Sequence, residues 1–248
     1  MKARIWLCLA CLFGCAVPLG ALAQQRPIVA DLSSHFVAID TGFSGSDVLL
    51  FGATDGPGDI VIVVKGPPHT RIIRRKSQVG PIWMNTQSAT FSSVPSFYHV
   101  ATSAPLHEIT TPSIRDLHQM ETGLIHVSVE DATEDDTSLF RQALIRQKEK
   151  KGLYSPTVGK VEHLANRLFR ARLYFPSNVP TGIYMVEVYL LRDKQVVSAE
   201  ITPLSVSKVG FGADVFLFAK RDPFLYGISA VCIAVIAGWV AAFVFRKG

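Results

Sequence analysis

Between Gln24 and Asp222 this 248-residue chain has no cysteine: Cys8, Cys11 and Cys15 lie in an apolar segment near the N-terminus and Cys232 in another near the C-terminus. The absence excludes disulfides, a thiol nucleophile and thiolate metal ligation from the intervening region, so roughly 200 residues must be stabilised by a packed core. Net charge is missing there as well. The formal charge of +5 includes Lys2, Arg4, Arg246 and Lys247, and without them 21 basic residues face 20 acidic ones. The pI of about 9.1 is therefore an effect of the chain ends, and nucleic acid is not an expected partner. Catalytic patterns are also lacking: there is no Gly-x-Ser-x-Gly, phosphate loop or dinucleotide fingerprint. His35, His69, His99, His107, His118, His126 and His163 show no His-x-His or His-x-x-x-His spacing and read as scattered surface histidines. Ser205-Val206-Ser207-Lys208 has the letters of a Ser-x-x-Lys nucleophile but sits in a strand-like run, where the catalytic version would open a helix. The expectation is a non-enzyme that carries no cofactor and no metal site.

What the chain does have is one long uncharged run, Phe224 to Phe245, closed by Arg246 and Lys247. At about 1.5 Å per residue it is long enough to cross a hydrocarbon core of about 30 Å, and a lone segment in hydrocarbon has to be helical. A transmembrane helix is expected over 223–245, preceded by an interfacial segment over 208–222 that holds the large apolar residues of Phe211 to Phe218. Ala230, Ala234, Gly238 and Ala242 recur every four residues in the span, which gives it one face of small side chains suited to close packing against another helix. That face points to an integral membrane partner or to self-association.

The N-terminal apolar run differs. Lys2 and Arg4 precede Ile5 to Val17, and Ala21-Leu22-Ala23 supplies the small-x-small residues of a cleavage site before Gln24. Residues 1–23 read as a cleaved signal peptide; the alternative is lipoprotein processing at Cys15, after Leu12-Phe13-Gly14. Export by this leader would put residues 24–207 in the periplasm of a bacterial inner-membrane protein, with a cytoplasmic tail over 246–248.

The exported region consists of short apolar runs divided by turn residues, the pattern of an antiparallel β protein. Strands are expected at His35 to Ile39, Asp47 to Ala53 and Ile60 to Lys65, then at Arg71 to Lys76, Ile82 to Asn85 and Ser96 to Ala101, with Pro67, Pro68, Pro81 and Pro95 confined to strand ends or edges. Phe169, Ala171, Leu173 and Phe175 alternate with polar residues and begin a meander that continues through Ile183 to Leu191 and Val196 to Val206. The reading is mainly β: an Ig-like antiparallel β-sandwich with two sandwiches as the alternative. A helical insertion over about 111–152 interrupts it. Thr111-Pro112 opens a helix through Leu117, and a second helix from Ser138 to Lys151 is stopped by Gly152. Glu130, Asp131, Glu134, Asp135 and Asp136 lead that helix, and Arg146, Lys148, Lys150 and Lys151 trail it, as its dipole favours. The acidic run lacks the spaced ligands and central glycine of a calcium loop.

Several stretches carry a resemblance: Gly66-Pro67 with Arg74-Arg75-Lys76 and Ile82-Trp83-Met84-Asn85; Val94-Pro95-Ser96-Phe97-Tyr98; Phe140 to Arg146 with Gly152-Leu153-Tyr154; Leu168 to Arg172; Val186 to Leu190; and Gly238-Trp239. Together they resemble the single-span proteins described from alphaproteobacteria as putative transmembrane proteins (Alph_Pro_TM). The sequence departs from the family pattern at Lys194, where a turn glycine is expected after Asp193, and from His118 to Val129. The resemblance implies no established activity; its members look like companions of sulfite-exporter-type permeases, which implies an accessory role.

Two classes of function follow. An interaction subunit would hold a membrane partner through the span or a sandwich face. A binding module would capture a small anion or a metal ion, and Arg71, Arg74, Arg75 and Lys76 beside Trp83 and Tyr98 are the candidate anion or partner contacts, because guanidinium forks suit oxyanions. The same cations would also serve as a charged edge strand that blocks aggregation. The expected topology has a direct test. A reporter active only in the cytoplasm, fused after Gly248, is expected to be active, and an inactive fusion reverses the orientation.

Overall fold

The computed structural model describes residues 27–130, 134–165 and 167–246; the expected leader, Gln24, Cys15 and the end of the tail lie outside them. Twelve strands are described: β1 Ile28–Leu32, β2 Phe36–Ile39, β3 Gly45–Thr54, β4 Asp59–Lys65, β5 Pro68–Val79, β6 Ile82–Pro95, β7 Tyr98–Thr102, β8 Ser128–Glu130, β9 Gly159–Leu164, β10 Leu168–Pro176, β11 Gly182–Arg192 and β12 Gln195–Lys208. The helices are α1 Leu106–Ile109, α2 Pro112–Leu117, α3 Glu134–Lys150, α4 Phe211–Arg221 and α5 Pro223–Phe245.

Nine strands pair in the order β1-β3-β10-β9-β7-β4-β11-β12-β2, and the curled sheet closes on one core that draws residues from both halves. In Ig letters the first four are A-B-E-D and the last five C′-C-F-G-A′, with the parallel pairing of β2 to β12 that an A′ strand makes to G. The strand after the E–F corner carries a second Ig mark: Tyr184, fully buried at the start of β11, donates its hydroxyl to the Pro180 carbonyl at 2.5 Å. Its ring meets Phe175 from the other half at 5.7 Å and Phe97 at 5.8 Å, so one aromatic group ties the two layers together. The chain is thus one Ig-like sandwich, mainly β, with a helical insertion and one C-terminal apolar helix.

Local chemistry explains these elements. β10 buries Phe169, Ala171, Leu173 and Phe175 and leaves Arg170, Arg172 and Tyr174 exposed, the period-two pattern of a strand with one wet face. β4 buries Ile60 to Val64 without alternation, because the insertion covers its outer face: Ile109, Met120 and Ile125 belong to the same core. The His118 ring meets Tyr189 at 4.7 Å with the planes tilted by 54°, and Lys65 pairs with Glu187 at 3.0 Å close enough for both charges to act on His118. The β11–β12 turn puts Asp193 at φ 50° and Lys194 at φ 62°, so the lysine found in place of the family's glycine occupies the left-handed position itself. For a residue with a Cβ this costs about 1–2 kcal/mol.

Helix α1, before the expected start of the insertion at 111, escapes the sequence reading, and so do three strands. β1 is a five-residue strand at the sheet edge, β9 a six-residue strand between β10 and β7, and β8 has three residues. The weak strand signals at Arg71 to Lys76 and Ile82 to Asn85 belong to a hairpin of 12- and 14-residue strands outside the sandwich, in a separate sheet β5-β6-β8. Its prolines stand where ladders allow them: Pro68 opens β5, Pro95 closes β6 and Pro81 shares the turn with Gly80, whose φ of 62° a tight hairpin demands. Helix α3 starts a turn earlier than Ser138, so Glu134, Asp135 and Asp136 lie in its first turn and not before it.

Candidate functional site

Helix α3 packs on the hairpin through a second core of six residues, Ile73, Ala89, Phe91 and Val94 from the strands and Phe140 and Leu144 from the helix. β8 adds the third strand by pairing Thr90 to Ser92 with Ser128 to Glu130, and Val129 joins the core. A groove of about 410 Å³ runs between β5 and α3. Its apolar wall is Ile73, Leu139, Phe140 and Ala143, and its polar groups are Arg74, Arg75, Lys76, Asp136, Gln142, Arg146 and Gln147. Four cations and one carboxylate make it basic. Arg75 is shared: one guanidinium nitrogen lies 4.0 Å from Asp136 and donates to Gln87 at 3.3 Å. Such a pocket can hold an oxyanion by guanidinium forks, with apolar wall for a small organic substituent.

The six candidate contacts divide. Arg74, Arg75 and Lys76 line the groove. Arg71 lies near Lys148 and Tyr154 at the base of the hairpin, where its charge acts on both. Trp83 is 68% exposed at the hairpin tip, opposite Gln78. Tyr98 is buried in the sandwich core, its hydroxyl donated to the Gln119 carbonyl and its pKa pushed up by burial, so it stands apart from the groove. Sequence reasoning missed Arg146, Gln142 and Gln147, because Arg146 was already accounted for as a charge at the helix C-terminus. The readable clue was spacing: Gln142 and Arg146, four apart, share a helix face with Leu139 and Ala143.

Lys148 is a structural cation, not a groove residue. It is buried, and its ammonium donates to the carbonyls of Pro95 at 3.3 Å and Ser96 at 3.1 Å beside the Tyr154 ring. The Tyr154 hydroxyl donates to the same Pro95 carbonyl at 2.9 Å. Desolvation, helped by Arg71 and Lys151, lowers the Lys148 pKa from 10.5 to about 8. Among the described residues no group of three or more His, Cys, Asp or Glu side chains could hold a metal ion. Ser205 and Lys208 lie within β12.

Beyond the sandwich, α5 is the one helix among the described residues that is long and apolar enough to cross a membrane, and none of its residues is buried. Ala230, Ala234, Gly238 and Ala242 lie on it, and a Cβ added at Gly238 would meet nothing within 4 Å. The Phe218 ring of α4 meets Tyr226 of α5 at 6.1 Å, across the junction at Asp222. Among the described residues, a β-sandwich is thus followed by one helix with the length and composition of a membrane span. The family model described as putative transmembrane protein (Alph_Pro_TM) matches residues 27–247, and the chain belongs to that family. No curated protein matches it.

The Lys148 clamp sets a pH dependence. Its folded pKa lies below its unfolded value, so between about pH 8 and 10.5 the unfolded chain holds the proton that the folded chain has lost. Stability therefore rises with pH in that window. Tyr184, pushed up to about 12, opposes the rise only above pH 10, where the unfolded phenol ionises first. Between pH 8 and 9.5 the melting temperature of the chain in detergent is expected to climb by about 2–4 °C, the shift that roughly 1 kcal/mol produces at this size. Lys148→Met is expected to flatten the profile, and an unchanged profile in that variant would remove Lys148 as its source.

Proposed function

We propose that the chain is a non-catalytic accessory subunit of the bacterial inner membrane. In this reading α5 anchors it, the sandwich lies in the periplasm and the short tail in the cytoplasm, and the span packs against an integral membrane partner. The observation that carries it is α5 itself: an apolar helix with Ala230, Ala234, Gly238 and Ala242 on one face, unburied among the described residues and with open space over Gly238. Within lipid, close backbone approach is the main attraction between helices, and small residues permit it. The class of partner, a sulfite-exporter-type permease, comes from the resemblance of the sequence. Gly238→Leu or Ala234→Leu is expected to weaken cross-linking to a partner or a second copy about five-fold, the factor from about 1 kcal/mol of lost helix packing. Val231→Leu and Val235→Leu, one position off that face, should leave the yield unchanged. Equal yields for both pairs would reduce the span to an anchor.

The groove favours a second reading, a binding module for a small anion. Its support is the convergence of Arg146 from α3 on Arg74, Arg75 and Lys76 from β5, which joins two elements distant in sequence into one basic pocket. Sulfite or sulfate at millimolar concentration is expected to raise the melting temperature of the detergent-solubilised chain, since a ligand bound only by the folded state stabilises it. Arg146→Ala should abolish the shift. If wild-type protein shows no shift, the cations are a solvated edge.

A further inference from the structure

The hairpin projects from a particular end of the sandwich. Met185 of β11 pairs with Lys65 at the end of β4, and Gly182 at the start of β11 pairs with Val206 near the end of β12. The base of the hairpin and the exit toward α4 and α5 are therefore at the same end. Gly182 shows how close they are: a Cβ there would fall 2.6 Å from Cγ of Pro67, the residue before the hairpin. From that base the 12 residues of β5 extend about 40 Å at roughly 3.3 Å per residue. The arm is long enough to reach a bilayer entered by the span, which is separated from β12 by the 11-residue α4 and the short joints 209–210 and Asp222.

Its tip is apolar on both faces. The pairs Val79 with Ile82 and Gln78 with Trp83 put Val79, Ile82 and Met84 on one side of the ribbon and Trp83 on the other, with exposures from 47% to 68%. The first turn of helix α3 meets the arm at Arg75, where Asp136 lies 4.0 Å from its guanidinium. Behind the tip stand Arg74, Arg75 and Lys76, and neither β5 nor β6 contains an acidic residue. Three residues, about 10 Å, separate Lys76 from Val79, comparable with the depth to which an interfacial segment buries its apolar face. An apolar tip with tryptophan and a collar of cations is matched by an anionic bilayer surface, which offers acyl chains at that depth and phosphates above them.

We propose that the tip of the β5–β6 arm is a second membrane contact, inserted in the interface of an anionic bilayer with Arg74, Arg75 and Lys76 at the level of the lipid phosphates. The inference rests on the reading of α5 as a span, and the two are tested separately. The full chain is reconstituted in vesicles of phosphatidylcholine with or without phosphatidylglycerol, carrying a doxyl quencher just below the headgroups. One version keeps Trp83 as its only tryptophan (W6F/W239F) and the other keeps Trp239 (W6F/W83F). Quenching of Trp239 by a mid-chain label in both lipids reports the span. Trp83 is expected to be quenched by the shallow label in phosphatidylglycerol vesicles and much less in neutral ones. Arg74→Gln, Arg75→Gln and Lys76→Gln together should lower partition of the tip on the order of 100-fold. Ile82→Ser with Met84→Ser, which leaves the groove intact, should release it as well. Unquenched Trp83 alongside quenched Trp239 overturns the arm contact and leaves the span. Unquenched Trp239 overturns the span. Equal Trp83 quenching in both lipids overturns recognition by charge, and a blue-shifted but unquenched Trp83 assigns the tip to protein contact and overturns the proposal.

Discussion

One carbonyl, that of Pro95, receives both the Tyr154 hydroxyl and the Lys148 ammonium, and the placing of the arm and α3 depends on it. Pro95 is the last residue of β6, Lys148 lies in the last turn of α3, and Tyr154 opens the return to the sandwich. The two donors hold the end of the arm, the end of the helix and the start of β7 at one point. Burying an ammonium costs free energy, which shows in its lowered pKa, and two carbonyl acceptors with an adjacent ring offset that cost. With this end fixed, α3 can lie along β5, and Arg146 then stands over Arg74 to Lys76. The groove is a by-product of the clamp.

The sandwich was legible because its strands advertise themselves locally. β10 alternates and β11 and β12 are divided by Asp193-Lys194, so period and turn agree, and their pairing follows from sequence proximity. The span was legible because hydrocarbon accepts so few sequences. β1, β8 and β9 were not, since strands of three to six residues carry too few apolar positions to show a period. The arm was half legible: Arg71 to Lys76 and Ile82 to Asn85 read as strands, but nothing in their residues says that they leave the sandwich. That follows only from the partners they acquire, α3 and β8.

The candidate site divides in the same way. Three adjacent cations on one strand could be read as a cluster from sequence, and Arg74, Arg75 and Lys76 do line one groove. Trp83 and Tyr98, expected beside those cations, stand elsewhere, one at a tip and the other in the core, because aromatic residues announce burial or exposure only through their neighbours. Arg146 and Lys148 look alike in the sequence and are two residues apart, yet a 200° turn of the helix sends one to solvent and the other to the interior.

The two cores are unequal. The sandwich and its insertion bury 34 apolar residues in one cluster and the arm with α3 six in another, and among the described residues Val127 packs against both. Cooperativity follows shared burial, so the arm and α3 form a unit that opens at lower free energy than the strands around β4 and β11. The protein therefore has a graded fold, in which the groove can be disassembled and rebuilt while the domain that carries it stays intact.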